Sequence, residues 1–291
     1  MKIPCDEYML AHSIEEVLDA LSEGQGESCL VSGGSDLLLE LQQGSRPPVH
    51  RLVDVSEVGA LCALEIRDGS LFIGASVTLT QLANSPLIKD HAQALADAAK
   101  LMGNPQVCNV ATIGGNVAHA LPAGDGTISL MALDATAEVA SLEERRRVPL
   151  KTLFRGPGES SLDPHADLLV GFYIPLNKPG QASAFTRRVN PQGIALAMLN
   201  IAIWLEREGE RVNQARLTIG PAGPVPIRLS ATEKTLAGQA YCPQLLDHAL
   251  QELLREAHFR TSPHRATAEY RQHLAGVLLH EAISKAWMRA I

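Results

Sequence analysis

The feature that most limits how this chain can fold is a pair of double-glycine segments, each following a short stretch with its own character. The longer segment, Asn109–Asp125, begins polar, passes through Gly114-Gly115 and reaches Pro122 and Asp125, where an apolar helical pattern starts. The shorter, Cys29–Leu37, is a small apolar strand that breaks into Gly33-Gly34 and then enters a helix-like run. Adjacent glycines take backbone conformations closed to residues with a Cβ and let the backbone approach a ligand closely. Exposed N–H groups on such loops bind phosphate oxygens. Two such loops suggest one diphosphate held from two sides; on spacing and residue type alone, a pair of ordinary tight turns is the alternative.

Composition narrows the classes. With 291 residues, 46% of them hydrophobic, the chain is long enough for two cores. Its formal net charge is -7, and no basic run exceeds Arg145-Arg146-Arg147, so a nucleic-acid partner is not expected. Met1–Glu7 holds no apolar core of signal-peptide length and no run approaches a membrane span, so a cytoplasmic protein without membrane insertion is expected. Cys5, Cys29, Cys62, Cys108 and Cys242 form no C-x-x-C pair and read as reduced, mostly structural thiols. That pattern speaks against an iron–sulfur cluster or a structural zinc in this chain, and no metal ligands are assigned.

Along the chain, Ser13 followed by Glu16 is a capping box, and Ile14, Val17, Leu18 and Leu21 make a one-sided stripe, so a helix is expected up to Gly24. A strand at Cys29–Ser32 and a short helix at Asp36–Leu41 follow, stopped by Gly44 and Pro47-Pro48. Arg51–Val55 and Ala63–Arg67 alternate as strands, and Asp68-Gly69 signals a hairpin into Leu71–Ala75. Thr80–Asn84 and His91–Met102 read as helices, the second so rich in alanine that it packs either closely or lightly. A helix is expected to open at or just after Asp125, where a carboxylate is also an ordinary cap. Ala135–Leu142 and Arg147–Leu150 read as strands, Leu168–Pro175 as an apolar run, and Asn177–Gly180 as the linker. Beyond it, Ile194–Glu206 and Val212–Ile219 flank a hairpin turn, and from Ser230 the chain is nearly all helical.

These residues resemble a known family. Thr112-Ile113-Gly114-Gly115-Asn116-Val117-Ala118-His119-Ala120, with Pro122 and Asp125, is similar to the flavin-binding signature of the medium subunit of molybdenum hydroxylases, which include xanthine dehydrogenase and carbon monoxide dehydrogenase. Ser32-Gly33-Gly34-Ser35-Asp36-Leu37 resembles that family's first flavin loop. The resemblance continues through Leu52–Val55, Ile73–Thr78 and Asn109–Ala111, and ends with Arg260–Pro263 and Ala268–Arg271, so it covers essentially the whole chain.

The resemblance implies an α+β architecture. Residues 1–176 would form an FAD-binding domain of two α/β subdomains, PCMH/vanillyl-alcohol-oxidase-like, with FAD in the cleft between them. Residues 181–291 would form a C-terminal α+β domain, an antiparallel sheet packed by helices. The absence of a G-x-G-x-x-G fingerprint agrees that the fold is not Rossmann. Carried over by position, Leu30, Val31, Ser32, Gly33, Gly34, Ser35, Asp36 and Leu37 would wrap the diphosphate and ribose. Thr112, Gly114, Gly115 and Asn116 would grip the diphosphate from the other side, and Asp125 would hold a ribose or flavin-tail hydroxyl. Met102 falls where a relative places a residue against the flavin ring, and Leu169 in the strand lining the cofactor. Arg187 sits near the family's usual Lys, where a cation would balance reduced flavin.

The implied function is electron transfer: FAD on this chain would take electrons from iron–sulfur clusters on a small subunit and pass them to NAD or oxygen. Substrate would be oxidised on a molybdopterin large subunit, the whole being a dimer of heterotrimers. No catalytic acid, base or nucleophile is then needed here, and none stands out; His119, between alanines, reads as a flavin contact or as a packed residue. Cys108 departs from the family's Arg at that position, and a thiol makes no guanidinium contacts. The rival reading is a stand-alone flavin oxidoreductase acting directly on a small organic substrate.

Overall fold

Ser13 opens the first helix, Ile14–Glu23, as its capping pattern requires: its hydroxyl accepts from the Glu16 N–H at 3.1 Å, and Gly24 closes the other end. Glu16 in turn takes the His12 N–H at 2.8 Å. The computed structural model describes residues 5–24, 26–190 and 196–291. The helix leads from strand Cys5–Leu10 to strand Ser28–Val31, and helix Leu37–Gln43 leads on to strand Val49–Asp54. The three strands form a parallel sheet with Val49–Asp54 in the middle. Short crossover helices are what parallel neighbours demand.

A second sheet is antiparallel. Its spatial order is Leu64–Arg67, Ser70–Gly74, Leu168–Pro175, Thr136–Ala140, Arg145–Pro149. Asp68 and Gly69 both take positive φ in the expected tight turn between the first two. Leu168–Pro175 is the central strand and is buried from Leu168 to Ile174, which explains its continuous apolar sequence. The core of this half runs from that sheet to the helices on it, through Phe72, Ile73, Leu95, Ile113 and Phe172.

Two expectations for this half are corrected. The helix expected over His91–Met102 is shorter, Gln93–Ala99, and a separate helix, Pro86–His91, precedes it, because Ser85 and Pro86 start a cap and first turn upstream and the backbone breaks at Ala92. Gly114-Gly115 is not a loop: both residues lie in the helix Ile113–Ala118, whose Thr112 hydroxyl accepts from the Gly115 N–H at 3.2 Å. Glycine's low helix propensity hides such a turn from a sequence reading, but the cap and tertiary hydrogen bonds hold it.

The remaining chain forms a third, antiparallel sheet, ordered Gln181–Val189, Ala197–Glu208, Arg211–Gly220, Ile227–Arg228. The expected hairpin is present with Gly209 at its turn in positive φ; Ile194 and Ala195 of the expected strand lie outside the described residues. Helices Ser230–Leu236, Pro243–Glu256 and Ala268–Arg289 follow, and the last packs across the first two strands. The segment Asn177–Gly180 is held rather than loose: Trp204 Nε1 donates to Asn177 Oδ1 at 2.9 Å, and the Asn177 N–H donates to His91. Ala94 and Ala98 meet Phe185 and Ala202 in a small core between this sheet and the preceding half. The alanine-rich helix therefore packs closely, since small side chains let backbone approach backbone. The architecture is α+β, two sheet-based subdomains followed by a helix-packed antiparallel sheet.

Candidate functional site

Between the parallel sheet and the antiparallel sheet runs a cleft of about 1340 Å³. Pockets for small drug-like ligands hold roughly 300–1,000 Å³, so the cleft has room for an extended dinucleotide. One wall is Leu30 through Leu37, and the other includes Thr112, Gly114, Gly115 and Asn116, with Leu169 on the central strand of the antiparallel sheet. The two double-glycine segments thus face one cleft, and thirteen residues expected to touch a cofactor line it together.

The walls approach closely because Gly33 carries no side chain: a Cβ there would strike the Val110 carbonyl. Gly34 has φ of +65°, which a residue with a Cβ rarely adopts. A hydrogen bond of 3.0 Å from Ser32 Oγ to Ser76 Oγ crosses between the walls, and Ser76 anchors in turn on the Val55 carbonyl at 3.2 Å. Ser76 is a cleft residue that a reading for loop motifs passes over.

The walls differ in what they can donate. Along Ser32, Gly33, Gly34, Ser35, Asp36 and Leu37, no backbone N–H finds an acceptor among the described residues. A run of unpaired donors on a cleft wall is the arrangement that receives phosphate oxygens. The second wall has no such run. Ile113 N–H donates to Val77 O at 3.1 Å, Gly114 N–H to Ala75 O at 2.8 Å, and Asn116 N–H to Thr112 O at 3.1 Å. The first two bonds lace the helix Ile113–Ala118 to the segment after Ser70–Gly74, and the third closes its first turn. The second double glycine therefore serves close packing, since a Cβ at Gly114 would meet the backbone of Ala75. Neither glycine segment carries Lys or Arg; the carboxylate and the imidazole they bring to the cleft are those of Asp36 and His119.

Met102, Asp125 and Arg187 form a separate buried group. Met102 Sδ lies 3.8 Å from Asn116 Nδ2, which links this group to the cleft wall. Asn116 Oδ1 accepts from the Thr127 N–H at 3.1 Å, fixing the amide. The Arg187 guanidinium pairs with the Asp125 carboxylate and also donates to the Leu101 carbonyl. Asn200 Nδ2 donates to the other Asp125 oxygen at 2.5 Å and to Ala123 O at 3.0 Å. Burial pushes the Asp125 carboxyl above its ordinary range, opposed by the charge of Arg187 and the Asn200 amide. Asp125 is 5% exposed and is an anchor for Arg187 and Asn200 rather than an ordinary helix cap. Asn200, on the strand Ala197–Glu208, is its partner from far along the chain, with no local motif to mark it. Cys108 is half-buried, and its thiol donates to the Met102 carbonyl at 2.6 Å.

Among the described residues, no group of His, Cys, Asp and Glu is arranged to hold a metal ion, and no helix is long and apolar enough to cross a membrane. Comparison with known proteins supplies the rest. Residues 4–177 match the family described as the FAD binding domain in molybdopterin dehydrogenase, and residues 184–286 match the CO dehydrogenase flavoprotein C-terminal domain. The chain is 30% identical to a putative xanthine dehydrogenase FAD-binding subunit of Escherichia coli, over 96% of this chain and 95% of that one. It is also 30% identical to the nicotine 6-hydroxylase medium subunit of Paenarthrobacter nicotinovorans, over 99% of this chain and all of that one (100%). A solved carbon monoxide dehydrogenase from Hydrogenophaga pseudoflava superposes with a TM-score of 0.93 at 26% identity, covering 100% of both chains.

Proposed function

Because the chain belongs to the family of FAD-binding subunits of molybdopterin dehydrogenases, we propose that it is the electron-transfer flavin subunit of a molybdenum hydroxylase. FAD is its cofactor, and it is an oxidoreductase subunit. When bound, FAD supplies the redox chemistry, accepting electrons and releasing them to an acceptor, NAD or oxygen. On this reading the electrons come from iron–sulfur clusters on a small subunit, and substrate is oxidised on a molybdopterin large subunit. The working assembly is a dimer of heterotrimers. Names such as medium subunit among the relatives support a multi-subunit setting.

The observation that carries the seat is the run of N–H groups from Ser32 to Leu37 that have no acceptor among the described residues, opposite Thr112 to Asn116. We assign the diphosphate to these donors. Leu30 and Val31 lead the strand into the loop, Leu169 gives the cleft an apolar wall, and Thr112, Gly114, Gly115 and Asn116 close the far side. We assign Met102 to the flavin ring and Asp125 to a ribose or flavin-tail hydroxyl; Asp125 also pairs with Arg187. Asp125, itself held by Asn200, fixes the direction of the buried Arg187 guanidinium. The cofactor domain is residues 1–176 and the C-terminal domain 181–291, with the pinned Asn177–Gly180 segment between them.

The test is the visible spectrum of the complex purified with this chain, together with its metal content and the masses of its companions. Flavin bands overlaid by iron–sulfur absorbance, with molybdenum and two further chains, is the expected result. Flavin on a lone chain that turns over an organic substrate would replace this reading with that of a self-sufficient oxidoreductase.

A further inference from the structure

His119 caps the C-terminal end of the helix Ile113–Ala118, on the second wall of the cleft, and its ring points at the helix that follows the first loop. Its Nδ1 lies 3.5 Å from Asp36 Oδ2, and its Nε2 lies 3.9 Å from Glu40 Oε1. Asp36 is the penultimate residue of the Ser32 to Leu37 donor run, and Glu40 stands one turn on in the helix Leu37–Gln43. Both ring nitrogens therefore face carboxylates across the cleft. A neutral imidazole carries one N–H and can serve one of them, whereas an imidazolium carries two and can serve both. Asp36 makes no cap hydrogen bond to its own helix, so its carboxylate is turned to this contact.

We propose that His119 is a protonation-dependent clasp: charged, it draws the diphosphate loop onto the opposite wall through Asp36 and Glu40, and uncharged, it lets that loop open and FAD leave faster. The clasp rests on the FAD seat assigned above, and His119 acts as a positioning residue through Asp36. Three other groups set its titration. Asp36 holds the imidazole above its ordinary value, partial burial opposes that, Glu40 adds to the rise, and Arg46 opposes it. Asp36 is correspondingly lowered by its contact with His119. Arg46 lies 3.9 Å from Glu40, so one acid of the pair is shared. The sign follows from the raised imidazole: the clasp is complete below the ordinary His pKa of about 6.5 and is lost as pH rises through the higher folded value.

The experiment follows FAD release from the purified holo-complex after large dilution into flavin-free buffer, by the rise in flavin fluorescence, across a pH series. The wild type is expected to release FAD roughly two- to five-fold faster above the His119 transition than below it, the size of a partly exposed ion pair. His119→Gln is expected to release at the fast rate throughout, with no transition. Asp36→Asn, on a largely exposed side chain (67% exposed), leaves the fold in place and is expected to move the transition to lower pH. A release rate independent of pH in the wild type overturns the clasp, as does a transition unmoved in both variants. A complex that carries no flavin at all overturns the FAD seat itself, a different outcome from a flavin that is bound but leaves at one rate.

Discussion

Placing a single methyl group at Gly33 tests the cofactor seat most directly. The Cβ of Gly33→Ala would land on the Val110 carbonyl, and both sides of that contact are backbone, so neither can rotate aside. Neighbouring Ala111 is held by the Leu79 N–H at 3.0 Å, and the next residues are laced to Ala75 and Val77. The first loop, whose N–H groups from Ser32 to Leu37 have no acceptor among the described residues, is the side that yields. The added Cβ would sit 2.0 Å from the Val110 carbonyl oxygen, where real contacts begin near 3.0 Å, so the loop must shift by about 1 Å, and at least one N–H leaves its phosphate oxygen. A hydrogen bond to a charged group contributes about 1.5–3 kcal/mol, which corresponds to about a 10- to 150-fold rise in the Kd for FAD. The assay is titration of flavin-stripped protein with FAD, following fluorescence quenching, beside the melting temperature of the stripped protein. Gly59→Ala is the control, because no atom lies within 4 Å of the added Cβ and Gly59 has no positive φ. A stripped Gly33→Ala protein that melts like the wild type and binds FAD within about two-fold of it would refute the assignment of the diphosphate to this loop.

The other expectations concern the frame around the seat. Asp125→Asn removes the charge facing Arg187 in a pair where both side chains are under a tenth exposed (8% and 5%), and should cost about 3 kcal/mol in urea unfolding, with no loss arguing that the carboxyl is protonated there. Ser183→Ala strips the buried Ala94 N–H of its acceptor at 3.0 Å, at the junction of the alanine-rich helix and the third sheet, and should cost about 1–3 kcal/mol by the same measurement. Burial pushes the Glu281 carboxyl up, but hydrogen bonds from Lys285 and Arg188 outweigh it and hold the group below its ordinary value. Its contribution is therefore present above the unfolded value near 4.3 and is lost as pH falls through the folded one. Glu281→Gln should flatten the acid arm of the stability profile by less than about 1 kcal/mol, and an unchanged arm would show that the pair adds nothing.

Much of this molecule is determined locally, and there the sequence suffices. Ser13 with Glu16, Asp68-Gly69 and the Gly209 turn each act within a few residues, so the first helix and both hairpins lie where their residues indicate. Gly33-Gly34 also speaks for itself, since a strand that breaks into two glycines leaves its N–H groups without a ladder. The second double glycine does not, because its N–H groups are taken by Ala75 and by Thr112. Nothing in Thr112–Asn116 alone shows that the segment after Ser70–Gly74 will lie beside it. The anchor is likewise tertiary: Asp125 meets Arg187 and Asn200 only because the third sheet packs against its helix. His119 looks like a residue between alanines until folding brings Asp36 and Glu40 to its two nitrogens. Capping, turns and periodicity act over one or two turns of chain, whereas burial of a charge and the free or paired state of an N–H depend on whatever the rest of the chain brings alongside.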